Sequence, residues 1–320
     1  MTSWLGATRL AVRLGAILRP LALASLVANV ALIVTGAAVR LTNSGLGCPT
    51  WPRCTDDSYT TTAEMGVHGV IEFGNRLLTF VLVGLAVACF LGALAHRRRS
   101  LTVLSVAVAL GIPGQGVIGG ITVLTNLNPW VVGLHFILSI ALIAGAYAFW
   151  RRIDEGDGEP VSLVPAPLRT LGRITTLASF AVIAAGVVVT GSGPHSGDQG
   201  AKRNGLDPAT ISQVHADLVF LLIGLSVAFW YALRAVNAPA TAIKAAAVLI
   251  AVELAQGLIG FVQYFTHLPV ILVAAHMLGS GLVWTSTLSL LWSLRTRPAL
   301  TPDAAVASDL PTTKHPVPTA

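Results

Sequence analysis

Charge is scarce in this chain. Only 11% of its 320 residues are Asp, Glu, Lys or Arg, where a soluble protein carries about 25%. Too little is left to cover a water-facing surface of this length. Strand-type alternation of apolar and polar residues is also missing, which excludes a membrane β-barrel. Cysteine is nearly absent, with three residues in all (Cys48, Cys54 and Cys89). The net charge of +6 comes from basic residues scattered between apolar runs without interleaved aromatics, so it is not a nucleic-acid footprint.

What fills the space is apolar sequence, 54% of the chain at a mean hydropathy of +0.75. It falls into eight runs: 21–39, 72–95, 101–124, 131–150, 174–192, 211–233, 242–264 and 270–294. Each is near the roughly 20 residues that carry a helix across the hydrocarbon. Backbone in lipid must satisfy its own hydrogen bonds, so the runs are expected as helices. The fold class is therefore all-α, a polytopic membrane protein of eight transmembrane helices in contact with lipid. Arginines cluster before span one, between spans two and three, between four and five, and after span eight. The positive-inside rule then places both termini in the cytoplasm. The N-terminal run is longer than a signal-peptide core and reads as an uncleaved first helix.

The chain repeats itself. Shifted by 140 residues, Asn75 to Leu85 falls without a gap on His215 to Leu225. Shifted by 141, Gln115-Gly116-Val117-Ile118-Gly119 falls on Gln256-Gly257-Leu258-Ile259-Gly260, and His135 with Ser139 falls on His276 with Ser280. A repeat of this kind predicts two four-helix bundles. The expected units are 1–150, a cytoplasmic linker 151–173, a second half 174–295, and a disordered cytoplasmic tail 296–320. The duplication is unequal, because Asn75 stands where the second half has His215.

Of eight histidines, His96, His195, His267 and His315 lie at boundaries, in loops or in the tail, and read as ordinary polar residues. His68, His135, His215 and His276 lie in or near the outer ends of even-numbered spans, where ionisable side chains default to function. Facing helices of a bundle can each present one histidine inward. Two neutral imidazoles suit the axial positions of a haem iron, whereas zinc wants three or four ligands, usually with cysteine or carboxylate. Gly111, Gly114, Gly116, Gly119, Gly120, Gly257 and Gly260 leave room for a flat ligand or for close helix packing. Glu72 shares a helical face with His68 and Asn75, and Arg76 one turn on is its expected ion-pair partner. The loop after span one is longer than its counterpart after span five and carries Cys48-Pro-Thr-Trp-Pro-Arg-Cys54. Its placement on the oxidising side predicts a Cys48–Cys54 disulfide, structural or redox-active. Cys89 reads as a small buried hydrophobe.

These residues together resemble the haem A synthase family, membrane oxidases that convert haem O to haem A for cytochrome oxidase. The resemblance covers residues 20–295. It rests on the eight spans in two halves and on Thr35-Gly-Ala-Ala-Val-Arg-Leu-Thr-Asn-Ser-Gly-Leu-Gly-Cys-Pro-Thr-Trp-Pro-Arg-Cys54. It rests also on Ile71-Glu72-Phe73-Gly74-Asn75-Arg76 and on Gly119-Gly-Ile-Thr-Val-Leu-Thr125 before His135. The resemblance implies haem b between His215 and His276, and a substrate site for haem O in the first half using His135 and a ligand on span two beside Glu72. It implies O2-dependent oxidation of a porphyrin methyl group to a formyl group with electrons from an external donor, haem A as product, and a bacterial plasma-membrane location. Haem O synthase is a candidate partner. Where the family reads Glu-x-x-His-Arg, this chain reads Glu72-Phe-Gly-Asn75-Arg76. The span-two ligand is then either missing, leaving an open site beside Glu72 and Arg76, or supplied by His68 on an outer segment if the helix begins only near Glu72. The competing reading is a quinol-linked bis-haem electron carrier without chemistry of its own. A third is a haem-binding transporter.

Overall fold

The structure, a computed structural model, describes residues 2–298. Among these are nine α-helices: α1 (Thr2–Ala16), α2 (Leu18–Leu41), α3 (Gly66–Ala95), α4 (Arg99–Leu124), α5 (Pro129–Arg152), α6 (Ala166–Ser192), α7 (Pro208–Ala235), α8 (Ala240–Phe265) and α9 (Val270–Ser293). The helices α2 to α9 are long and apolar enough to cross a membrane, and the protein is a multi-pass membrane protein. The tail from residue 299 on, with His315, lies outside the described residues.

Start and stop signals set the boundaries. Asn128 caps α5 by accepting from Trp130 N at 3.0 Å, and Asp207 caps α7 by accepting from Thr210 N at 2.8 Å. Each is followed by proline at the first helical position, where the missing N–H costs nothing. The helices α4 and α8 stop alike. Asn126 and Leu127 take φ of 50° and 57°, and His267 and Leu268 take 63° and 59°. Leu127 N then donates to Thr122 O and Leu268 N to Gln263 O, both at 2.8 Å, a six-to-one closure that satisfies the last carbonyls. The turns after α3 and α7 also match, with φ of 51° at both Arg97 and Asn237.

Within the first half, α2, α3, α4 and α5 pack in a ring, and no Cα of α3 lies within 8 Å of any in α5. The helices α6 to α9 form the same ring, with α7 and α9 apart across the diagonal. The halves meet through α2, α5, α6 and α9. At that seam lie Leu26, Ile33, Ile140, Ile143, Tyr147, Ile183 and Trp284, with Trp284 Nε1 donating to Ile140 O at 3.0 Å. In lipid, such contacts rather than water exclusion hold helices together.

Three boundaries differ from expectation. Residues 2–16, read as a basic lead-in, form α1, which packs across the basic end of α3: a Cβ on Gly92 would stand 3.0 Å from Leu14 O. Arg9 and Arg13 interrupt the apolar residues of this stretch, so hydropathy does not mark it as a helix of its own. The helix α6 begins at Ala166 rather than 174, since Pro165 and Pro167 suit its first turn. The start of the expected tail is ordered: Val161–Ser162 pairs antiparallel with Arg295–Thr296.

Candidate functional site

The diagonal gap of the second half is bridged by two imidazoles. The rings of His215 on α7 and His276 on α9 meet across it with centroids 6.3 Å apart and planes at 77°. His215 Nδ1–H donates to Val182 O at 3.0 Å, which leaves Nε2 free to bind a metal. Behind each ring stands a glycine. A Cβ on Gly186 would lie 3.1 Å from His215 Cε1, and one on Gly260 would lie 3.2 Å from His276 Cε1. The Gln256 amide donates to His276 O at 2.6 Å, while His276 Nδ1 and Gln256 Oε1 are enclosed without partners. Metal–nitrogen bonds of about 2 Å on either side of one iron put imidazole centroids roughly 6 Å apart. The pair therefore fits a single haem iron. Among the described residues no three of His, Cys, Asp and Glu cluster as a protein-only metal site would require.

The first half repeats half of this arrangement. On α5, His135 is backed by Gly119, whose Cβ would stand 3.3 Å from His135 Cε1. Gln115 donates to His135 O at 3.3 Å and to Ser139 Oγ at 3.1 Å. Across the diagonal from α5, the buried stripe of α3 includes Glu72, Leu82, Ala86, Cys89 and Ala93, and the partly buried Asn75 lies on that stripe by spacing. Three polar atoms here are enclosed and unpartnered: Asn75 Oδ1, His135 Nδ1 and Gln115 Oε1.

His68 is elsewhere. The helix α3 begins at Gly66, so His68 is helical and not on a loose segment. It is exposed, and its Nδ1 meets Ser44 Oγ at 2.9 Å.

Over this end of the first half lies the cysteine loop, closed by the Cys48–Cys54 disulfide. Glu72, buried, accepts from Cys48 N with one oxygen and from Arg76 at 2.6 Å with the other. Arg76 also donates to the carbonyls of Cys48 at 3.0 Å, Thr50 at 3.1 Å and Arg53 at 3.1 Å. The expected ion pair thus forms, and it also seats the loop. The indole of Trp51 occupies the place of a side chain on Gly120, next to the glycine that backs His135. From the other half, Gly197 O accepts from Gly45 N at 2.8 Å, and Arg40 donates to His195 O at 2.5 Å and to Thr190 O at 2.6 Å.

Sequence reasoning did not single out Gly186, Trp51 or Arg40. Trp51 shows its role only through its fit to Gly120. Asp217 is exposed and accepts from Gln213 at 2.7 Å, away from the imidazoles. Glu253 is buried in α8 and accepts from Ser226 at 2.9 Å, with its other oxygen unpartnered.

A family model described as cytochrome oxidase assembly protein matches residues 19–195. The Heme A synthase of Azorhizobium caulinodans is 27% identical over 311 residues, covering 79% of this chain and 87% of that one. The Heme A synthases of Geobacillus kaustophilus and Exiguobacterium sibiricum are 30% and 29% identical over 105 and 143 residues. Those two matches span 32% and 48% of the relatives' own lengths. The family match takes in α2 to α6 and with them the cysteine loop, Glu72, Arg76 and His135, and this chain belongs to the cytochrome oxidase assembly family that includes the haem A synthases.

Proposed function

We propose that this protein is a haem A synthase, an oxidoreductase that binds haem O in its first half and oxidises one porphyrin methyl group to a formyl group. The observation that carries the reading is the pair His215 and His276 meeting across the diagonal gap, with His135 in the matching place of a gap that lacks the second imidazole. The paired half would hold haem b and relay single electrons. Haem iron in the first half would supply oxygen activation, and an external donor would supply the electrons. Two successive hydroxylations of the methyl carbon, followed by loss of water from the gem-diol, would give the formyl group; each would consume one O2, two protons and two donor electrons and release one water, so the relay would pass four electrons per product.

The residues of the chain divide the remaining work. His135 would hold the substrate haem, and Gly119 sets how far its ring can retreat. Glu72 and Arg76 sit one turn apart on the face that also carries Asn75, where a carboxylate can move protons or balance charge on the reacting carbon. The cysteine loop, seated on that same pair, keeps bulk water off the first-half gap. By the positive-inside rule the cysteine-loop end would face outside and both termini would lie in the cytoplasm, in a bacterial plasma membrane.

The test is extraction of haem from protein produced with a haem O source under air. Haem A, or haem O hydroxylated at the methyl group, supports the reading. Recovery of haem b alone with substrate present would replace it with the electron-carrier reading.

A further inference from the structure

Resting on the first half being a haem site, we propose that Asn75 leaves that site open. His135 is its one protein ligand, and the Asn75 carboxamide hydrogen-bonds small ligands on the other face of the iron. Four observations converge on this. Asn75 takes the repeat position of His215, and His135 with Gly119 reproduces His276 with Gly260, including the ring-to-glycine approach of 3.3 Å against 3.2 Å. The helices α3 and α5 stand apart across the same diagonal that separates α7 and α9. Asn75 lies on the buried stripe of α3, and its Oδ1 is enclosed yet meets no donor. An enclosed carbonyl oxygen without a donor is costly unless something enters to pair with it.

A carboxamide is a poor iron ligand beside imidazole, but it rotates to present either a donor or an acceptor. It therefore does not close the coordination sphere. It polarises what binds there, and a polar group on the open side of a haem decides how that ligand is held. His68 does not replace it. Seven residues separate the two, about 10 Å along a helix. His68 is exposed and paired with Ser44. The first turn of α3 is also fixed, because the Gly47 backbone lies against the backbone of His68.

The experiment uses the full-length protein in membranes, loaded with haem O, with carbon monoxide and cyanide as probes. Wild type should hold two haems, one low-spin and inert to carbon monoxide, the other high-spin and reactive. Replacing His135 with Ala should remove only the reactive one. Asn75→His, which restores the repeat's own residue, should turn the reactive haem low-spin and abolish carbon monoxide binding. Asn75→Leu should keep the haem open but weaken cyanide binding about tenfold, the loss of one hydrogen bond to a charged ligand. Should the Leu variant fail to accumulate, Asn75→His decides alone. Two haems that are both low-spin and inert in wild type overturn this proposal and leave the haem-site reading standing. A single haem per chain overturns both. Carbon monoxide binding unaltered in Asn75→His, or cyanide affinity unaltered in Asn75→Leu, removes Asn75 from the open face.

Discussion

A glycine stands behind each candidate iron-binding imidazole: Gly119 behind His135, Gly186 behind His215 and Gly260 behind His276. Contacts near 3.2 Å are tighter than ordinary packing, so a methyl group there makes the ring give by a few tenths of an ångström. We expect Gly186→Ala and Gly260→Ala to keep a low-spin bis-histidine haem with altered g-values in electron paramagnetic resonance. Gly260→Val should lower haem content to less than about half, because a branched side chain cannot share that space. An unchanged spectrum in all three would mean the glycines do not set ring position. His215→Ala and His276→Ala should each remove the low-spin signal without removing the protein from the membrane. At Glu72 two roles overlap, anchoring the loop and serving the reaction. Glu72→Gln still accepts from Cys48 N, and Arg76 keeps its three carbonyl partners. Haem content should therefore hold while product formation falls about a hundredfold, the usual weight of a positioned acid–base group. Product formation that survives would leave Glu72 with the anchoring role alone.

Among the elements, the cysteine loop is held twice, by its disulfide and by Arg76. A closed loop this short contributes about 2 kcal/mol through chain entropy, and the Arg76 contacts do not depend on it. Cys48→Ser with Cys54→Ser should therefore keep haem content, while proteolysis between α2 and α3 becomes several-fold faster. Loss of haem in the double variant would show that the bridge itself shapes the first-half site. The loop also marks what the sequence revealed and what it concealed. The eight spans, the cysteine pair and the Glu72–Arg76 pair follow from hydropathy, topology and helical spacing, each a local property. His135, His215 and His276 were legible because the repeat doubles their signal. Gly186, Trp51 and Arg40 act through contacts between distant segments, which no local pattern encodes. The helix α1 was hidden because its arginines read as the basic flank of span one.

Across the whole molecule, the two halves are tied at the basic end by a charged knot. Asp157, in the linker after α5, meets Arg98 before α4 at 2.9 Å and Arg152 on α5 at 2.8 Å. Next to it, Glu155 meets Arg152 at 3.1 Å and Arg295 beyond α9 at 3.4 Å, and accepts from Trp292 at 2.6 Å. The knot thus joins the first half to the last helix of the second, opposite the haem-bearing end. The hydrogen bond from Arg98 is the main cause that holds the Asp157 carboxyl down at about 2; burial opposes it, and Ser100 and the charges of Arg98 and Arg152 add to the lowering. An unfolded Asp ionises near 3.9. The folded state therefore binds the proton less readily, and its advantage is full above about pH 5 and lost as pH falls through 4 toward 2. Asp157 is 47% exposed, so solvent screening reduces its contribution to about 1 kcal/mol. Asp157→Asn should lower thermal stability in detergent at pH 7 by that amount and flatten the decline between pH 5 and pH 2.5. The loss stays modest because Arg98 keeps the carbonyls of Arg152, Ile153 and Glu155, and Arg152 keeps Glu155 and the carbonyl of Gly156. Low-spin haem content in this variant should match wild type at neutral pH, since the knot and the imidazoles occupy opposite ends of the bundle. A variant that loses haem before it loses helicity would show instead that the knot sets the spacing of the helices that carry the histidines.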